Sequence, residues 1–295
     1  MNRPGIHELE YFVAVADELS FVKAARRLHL SQPPLSRHIR KLEQKLGVPL
    51  FERNTRRVTL TAAGETFLED ARVLLRKIDR AAEAARLAQD GKSQRLDIGM
   101  VGILLRPDVI QLLREFREQN PACQIRLHDL QAPELETEVE NGTLDAAFLF
   151  LSGREKLPRS LAQIPRQHES FKVALPLKHR FSKKTRLRLK DLADEQWITV
   201  SQKAAPTLYR KFQESCADEG FEPKIIEETN RLLAVSAMVE VGEGIGLLPD
   251  VVSHSRSKGV VLCPLTPNFT LTHTFVYRKN NSSPALRQLL ARLLQ

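Results

Sequence analysis

The sequence predicts an α/β chain in three parts: a helix-rich N-terminal segment, one long linking helix, and a larger C-terminal region where strands and helices alternate. Three observations predict it. Residues 31–46, SQPPLSRHIRKLEQKL, read as a basic amphipathic helix between turn signals. Residues 61–89 keep apolar spacings of four and three without a proline. From Arg95 onward, short apolar runs alternate with helical periods, the rhythm of a parallel sheet. With 295 residues the chain holds one or two domains and a sizeable core.

The basic helix organises the first part. Ser31 can cap it, and Pro33 and Pro34 fit a first turn whose N–H groups lack intrahelical partners. Leu35, Ile39, Leu42 and Leu46 form one apolar stripe. Gln32, Ser36, Arg37, Arg40, Lys41 and Lys45 occupy the other side and suit phosphates and base edges in a major groove. Ahead of it, His7–Leu19 reads as a helix with Leu9, Phe12, Val13, Ala16 and Leu19 on one face. Ser20 caps a second helix, Phe21–Leu28, whose Ala24 and Ala25 permit a close helix crossing. His29–Leu30 turns into the third, which is the helix-turn-helix order. Gly47 stops that helix. Val48–Arg53 and Arg57–Leu60 read as strands around the turn Asn54–Arg56, a wing that places Arg53, Arg56 and Arg57 for phosphate or minor-groove contact. The whole chain carries a formal +9, and residues 20–60 hold ten Lys/Arg against two acids, so the charge favours a polyanionic partner here. A second basic stretch, Lys178–Lys190, lies far from this motif and reads as solvated loop surface.

The segments AARRLHLSQPPLSRHIRKLE, PLFER and LTAAGE, in ungapped order over about the first 70 residues, resemble the winged helix-turn-helix of the LysR-type transcriptional regulators. The resemblance implies a bacterial DNA-binding regulator, dimeric or tetrameric, with a C-terminal effector domain. It implies double-stranded operator DNA as partner, with RNA polymerase a further candidate. Ser31, Gln32, Pro33, Ser36, Arg37 and Arg40 would then meet the DNA from the third helix, and Arg53 and Arg56 from the wing.

Thr61 caps the long helix, and Phe67, Ala71, Leu74, Ile78 and Ala81, continuing to Ala85 and Ala88, give a heptad seam. An alanine-rich seam allows close approach of an antiparallel partner, and the family pairs subunits through this helix. A homodimer assembling to a homotetramer is expected, the tetramer by resemblance alone. The expected division is 1–60 for DNA binding, 61–91 for the linker helix and 92–295 for the effector domain.

In that last region Leu96–Val101, Gln124–Leu130 and Ala146–Leu151 read as strands separated by helices Pro107–Glu118 and Pro133–Glu140. A second set follows: strands Phe171–Leu175, Trp197–Val200, Lys224–Glu228 and Gly246–Pro249, and helices Pro206–Asp218 and Leu232–Val241. The chain then returns through a strand, Thr272–Tyr277, to a last helix, Pro284–Leu294. This pattern, with VEVGEGIGLLPD at 239–250, resembles the two-lobed periplasmic-binding-protein-like (type 2) effector domain, lobe I being 92–163 with 268–295 and lobe II 164–267. Ligands of such sheets bind beyond strand carboxyl ends. Gly102, Ile103, Gln131 and Phe150 in lobe I, and Ser201 and Thr207 in lobe II, are the candidate effector contacts. The two hydroxyls read equally as a carboxylate seat or as plain helix caps. The effector half resembles the aromatic-catabolism branch, yet Ile103 and Phe150 stand where those sensors carry a hydroxyl and an Arg, and Gln131 replaces a second hydroxyl. A larger or less charged ligand than a small dicarboxylate is expected, with an aromatic or extended organic acid the leading candidate.

Other functions find little footing. Gly242, Gly244 and Gly246 follow a helix rather than a strand, which disqualifies a dinucleotide motif. The sequence has no G-x-S-x-G, HExxH, P-loop or metal-ligand grouping, so neither an enzyme nor a cofactor is expected. No apolar run approaches the roughly 20 residues of a membrane helix, and no signal peptide is read, so a cytoplasmic location is expected. Cys123, Cys216 and Cys263 leave a thiol-based redox sensor on the same scaffold as the alternative.

Overall fold

The computed structural model describes residues 3–53, 57–89, 94–101, 106–251 and 259–294. Two compact units compose it, Met1–Asp90 and Gly91–Gln295.

In the first unit, α1 (Ile6–Glu18), α2 (Phe21–Arg27) and α3 (Gln32–Leu46) precede a two-stranded ribbon, β1 (Phe51–Arg53) with β2 (Val58–Leu60), and α4 (Ala62–Gln89). Ala24 and Ala25 are buried where the helices cross, and Phe12 lies at the centre, its ring 5.3 Å from that of Phe51 and 5.1 Å from that of Phe67. Polar contacts lock the outside. Lys45 of α3 donates to both Glu8 oxygens at 2.7 Å, pinning α3 to α1. The Glu43 carboxylate accepts the Leu50 and Phe51 N–H groups at 3.0 and 3.2 Å, which fixes the entry to the ribbon. Thr61 caps α4 by accepting the Gly64 N–H at 2.9 Å while donating to the Pro49 carbonyl at 2.8 Å. Gly64 is required there, because any Cβ would run into the Leu50 carbonyl.

The second unit carries β3 (Gln94–Met100), α5 (Pro107–Gln119), β4 (Cys123–Asp129), α6 (Ala132–Asn141), β5 (Ala146–Leu151) and β6 (Leu161–Pro176). Then come β7 (Gln196–Val200), α7 (Pro206–Asp218), β8 (Lys224–Thr229), α8 (Leu232–Val241), β9 (Ile245–Pro249), β10 (Val260–Arg278) and α9 (Pro284–Leu293). Among the described residues the strands form one eight-stranded sheet, ordered β4-β3-β5-β10-β6-β9-β7-β8. The flanks β4-β3-β5 and β9-β7-β8 are parallel, as the βαβ rhythm predicts. The centre differs from expectation. β6 and β10 are long antiparallel strands that run through both halves. The predicted segments Phe171–Leu175 and Thr272–Tyr277 are only their ends. Register shifts at Pro264/Phe269 and His273/Thr274 let these strands bend without losing their pairing.

Apolar clusters mark the two halves. One gathers Leu96, Ile98, Phe116, Phe148, Phe275 and Leu289. The other gathers Phe171, Trp197, Phe212, Val235 and Leu248, together with Phe269 and Leu271 of β10. β10 therefore serves both cores, rather than joining the first at residue 268 as the lobe reading expects.

Candidate DNA-reading face and effector cavity

On α3, Leu35, Ile39 and Leu42 are fully buried and hold the helix by one side. Ser31, Gln32, Pro33, Arg37 and Arg40 are exposed on the other, with Ser36 half-buried beside them. Ser31 occupies the cap position in extended backbone but makes no side-chain cap bond, and Pro33 lies in the first turn. Its hydroxyl is thus not committed to the helix end. The ribbon pairs Arg53 with Val58 in backbone register, but the Arg53 side chain and Arg56 lie outside the described residues. The surface presents guanidinium, amide and hydroxyl groups from one rigid helix, the chemistry of groove and phosphate recognition.

The seam on α4 divides. Phe67 packs in the first unit's own core and Ala71 is fully buried there, because the first turns of α4 cover α1. These two residues are intradomain core, contrary to the expectation of a seam wholly given to a partner. Leu74 and Ile78, 47% and 38% exposed, and Ala81 lie past that contact and are open. Arg72 and Arg27 both pair with Asp17, tying the same region of α4 to α1 and α2.

In the second unit, strand carboxyl ends converge on a mostly apolar cavity with about 560 Å³ of empty space, its open mouth included. Val101 beyond β3, Gln131 beyond β4 and Phe150 in β5 line one side; Val200 of β7, Thr207 and Leu208 of α7, and Asn230, Arg231 and Leu232 beyond β8 line the other. Of the expected contacts, Gln131, Phe150 and Thr207 are brought together. Gly102 and Ile103 lie outside the described residues. Ser201 is not in the lining. Its hydroxyl donates to Asn230 Oδ1 at 3.1 Å and accepts the Ala204 N–H at 3.3 Å, so it braces its own loop. Phe150 joins the aromatic stack, its ring 5.6 Å from Phe171 and 5.4 Å from His273.

Two carboxylates outside the lining, neither proposed above as an effector contact, stand next to residues that line this cavity. Glu155 accepts the Ser152 N–H at 2.8 Å, the Ser152 hydroxyl at 2.7 Å and the Gly153 N–H at 3.1 Å, and Thr207 lies near enough to help lower its pKa. Burial pushes the Glu155 carboxyl up, but these donors outweigh it and hold the group below its ordinary value. Asp129 accepts from Arg231 Nη1 at 2.9 Å. Asn230 and Arg231 obey the strand-end rule already applied to the other loops, so β8 could have pointed to them. Glu155 had no such signal, because its role depends on how the 152–155 loop folds back. The three glycines set aside above are structural: Gly242 ends α8 at φ +96°, and a Cβ on Gly246 would strike Val235 and Ile198.

A winged helix-turn-helix unit with an exposed basic face, joined in one chain to an α/β unit that holds a cavity, is the make-up of a DNA-binding regulator with a separate binding domain. Residues 6–65 match the bacterial regulatory helix-turn-helix protein, lysR family, and residues 89–295 match the LysR substrate binding domain. The chain belongs to the LysR family of transcriptional regulators. It is 34% identical to the HTH-type transcriptional regulator AlsR of Bacillus subtilis over 287 residues, 97% of this chain and 94% of that one. It is 35% identical to XapR of Escherichia coli over 309 residues, covering 99% and 98%. The crystal structure of the LysR family regulator CbnR matches 99% of this chain and 98% of its own with a TM-score of 0.78 at 24% identity, a likeness of fold.

Proposed function

We propose that this regulator reads operator DNA with the exposed face of α3 and responds to a small, mainly apolar effector seated in the cavity of the second unit. One observation carries the DNA reading: Arg37 and Arg40 are exposed on a helix whose opposite face is sealed by Leu35, Ile39 and Leu42. The effector reading rests on the cavity's position at strand carboxyl ends and on its lining of Val101, Phe150 and Leu208. Of the organic acid expected from the sequence, the aromatic part finds support in that lining. The two hydroxyls expected to take its carboxylate, Ser201 and Thr207, are both engaged within the chain.

Leu74, Ile78 and Ala81 support a homodimer through α4; assembly to a homotetramer, contact with RNA polymerase and action in the cytoplasm extend the same reading. The redox alternative is weaker. Cys123, Cys216 and Cys263 are all buried, and burial pushes every thiol up, Cys216 to about 12, away from the reactive thiolate.

Gel-shift titration of Arg37→Ala tests the DNA reading. Loss of about 1–3 kcal/mol of operator affinity with relaxed sequence preference supports it. Unchanged operator affinity removes α3 from the groove.

A further inference from the structure

The cavity has few polar groups, and they fall into two kinds. Gln131 and Asn230 are amides. Thr207 and Arg231 are the groups that would favour an anion, and each already faces a carboxylate of this chain. Thr207 faces Glu155, and Arg231 faces Asp129. Glu155 also takes the Ser152 N–H, the Ser152 hydroxyl and the Gly153 N–H. That donor set, two backbone N–H groups and a hydroxyl around one carboxylate with Thr207 beside it, is what a bound organic acid would require.

We propose that Glu155 is a specificity-determining residue: its own carboxylate fills the acid seat, and the effector is an uncharged ring compound whose polar edge meets the Gln131 and Asn230 amides. The inference rests on reading this cavity as the effector site. An incoming carboxylate meets the Glu155 carboxylate and donors already engaged. Rejection of one ligand by charge is discrimination that an apolar wall alone does not supply. The apolar lining around Phe150 accepts the ring of either kind of ligand, so the charge alone separates them.

Benzamide and benzoate share a ring and differ in that charge. The full-length protein, titrated with each, is read by the NMR shifts of its backbone amides. The wild type is expected to shift at Gln131, Thr207 and Asn230 with benzamide and to bind benzoate at least tenfold more weakly. Glu155→Gln and Glu155→Ala are expected to gain benzoate, by tenfold or more, with shifts at Ser152 and Gly153. Thermal melting confirms that each variant is folded, and the Gln variant keeps the side-chain size if the Ala variant is not. If both ligands shift the wild-type cavity amides alike, the cavity reading stands and the role of Glu155 falls. If folded variants gain no benzoate, that role falls as well. If neither protein responds to either ligand at tens of millimolar, or responds only at amides away from the cavity, both readings fall.

Discussion

The face of α3 and the cavity of the second unit hold polar side chains under opposite conditions. Arg37 and Arg40 project from a helix whose apolar side is closed off, and neither forms an ion pair among the described residues. Around the cavity, Thr207 meets Glu155, Arg231 meets Asp129, and Ser201 meets Asn230. The first surface is complementary to a partner bearing many negative charges. The second has balanced its charges internally and leaves an apolar wall, the Gln131 amide and the amide nitrogen of Asn230. Net charge alone would have treated both regions as anion-binding. The difference lies in where the nearby carboxylates act: Glu8 holds Lys45 on the anchored side of α3, and Glu43 takes the Leu50 N–H past its end.

The largest way to break this comparison is through the core of the first unit. Ile39→Ala removes a fully buried side chain beneath Arg37 and Arg40. A loss of about 2–5 kcal/mol is expected, confined to the first unit. Differential scanning calorimetry should show that transition falling while the one belonging to the second unit stays in place. A common shift of both transitions would mean that the units do not unfold separately.

Next comes a buried base in the second unit. His273 is fully buried, stacked at 5.1 Å on Phe148, and neither ring nitrogen has a partner among the described residues. Burial, then the nearby Arg106 and Arg166 charges, lower its pKa from 6.5 to about 4, with Asp108 acting the other way. The unfolded chain therefore holds more proton than the folded one between these two values. Stability conferred by the neutral imidazole is present above pH 6.5 and is lost as pH falls toward 4, by roughly 3 kcal/mol. His273→Phe should remove that part of the acid slope in denaturant melts. Equal slopes in both proteins would place the folded imidazole in contact with water.

The division of α4 predicts a smaller pair of effects. Ala71→Leu should overpack the first unit's core and destabilise it by about 1–3 kcal/mol without changing its mass in sedimentation. Leu74→Glu, on the open side, should leave the unit's melting in place and shift sedimentation toward a smaller species. A Leu74→Glu protein that keeps its oligomeric mass would remove this stretch from the pairing surface.

These contrasts also explain what was legible in the sequence. α3 could be read because one helix period fixes both its anchored and its open side, and Gly47 marks its end in the left-handed region at φ +73°. The length of α4 was equally plain. Its division was not, because the same spacings of three and four serve an internal core at Ala71 and an external seam at Leu74. The first half of β6 is hidden in the sequence, since Pro165 and the polar run 166–170 look like a loop until the pairing with β10 is known. In the cavity, Gln131, Phe150 and Thr207 followed from a rule about strand ends. The Ser201 bond to the Ala204 N–H is the local capping that the sequence offers as an alternative, whereas Glu155 and the Ser201–Asn230 bond depend on which loops meet, and no local pattern encodes that.

The smallest predicted effect separates two roles on the one open helix face. Arg37 and Arg40 are three residues apart on α3 and both exposed. If Arg37 reads a base while Arg40 touches a phosphate, their substitutions differ in kind more than in size. Arg40→Ala should weaken binding to operator and to scrambled duplex alike, by about 1 kcal/mol, and should lower the slope of log affinity against log salt by about one. Arg37→Ala should instead weaken the operator more than the scrambled duplex. The measurement is a pair of salt titrations for each variant by fluorescence anisotropy. An Arg40→Ala protein that loses affinity for the operator alone would move Arg40 from the phosphate backbone to a base edge, and the reading face would then extend a full turn further along α3.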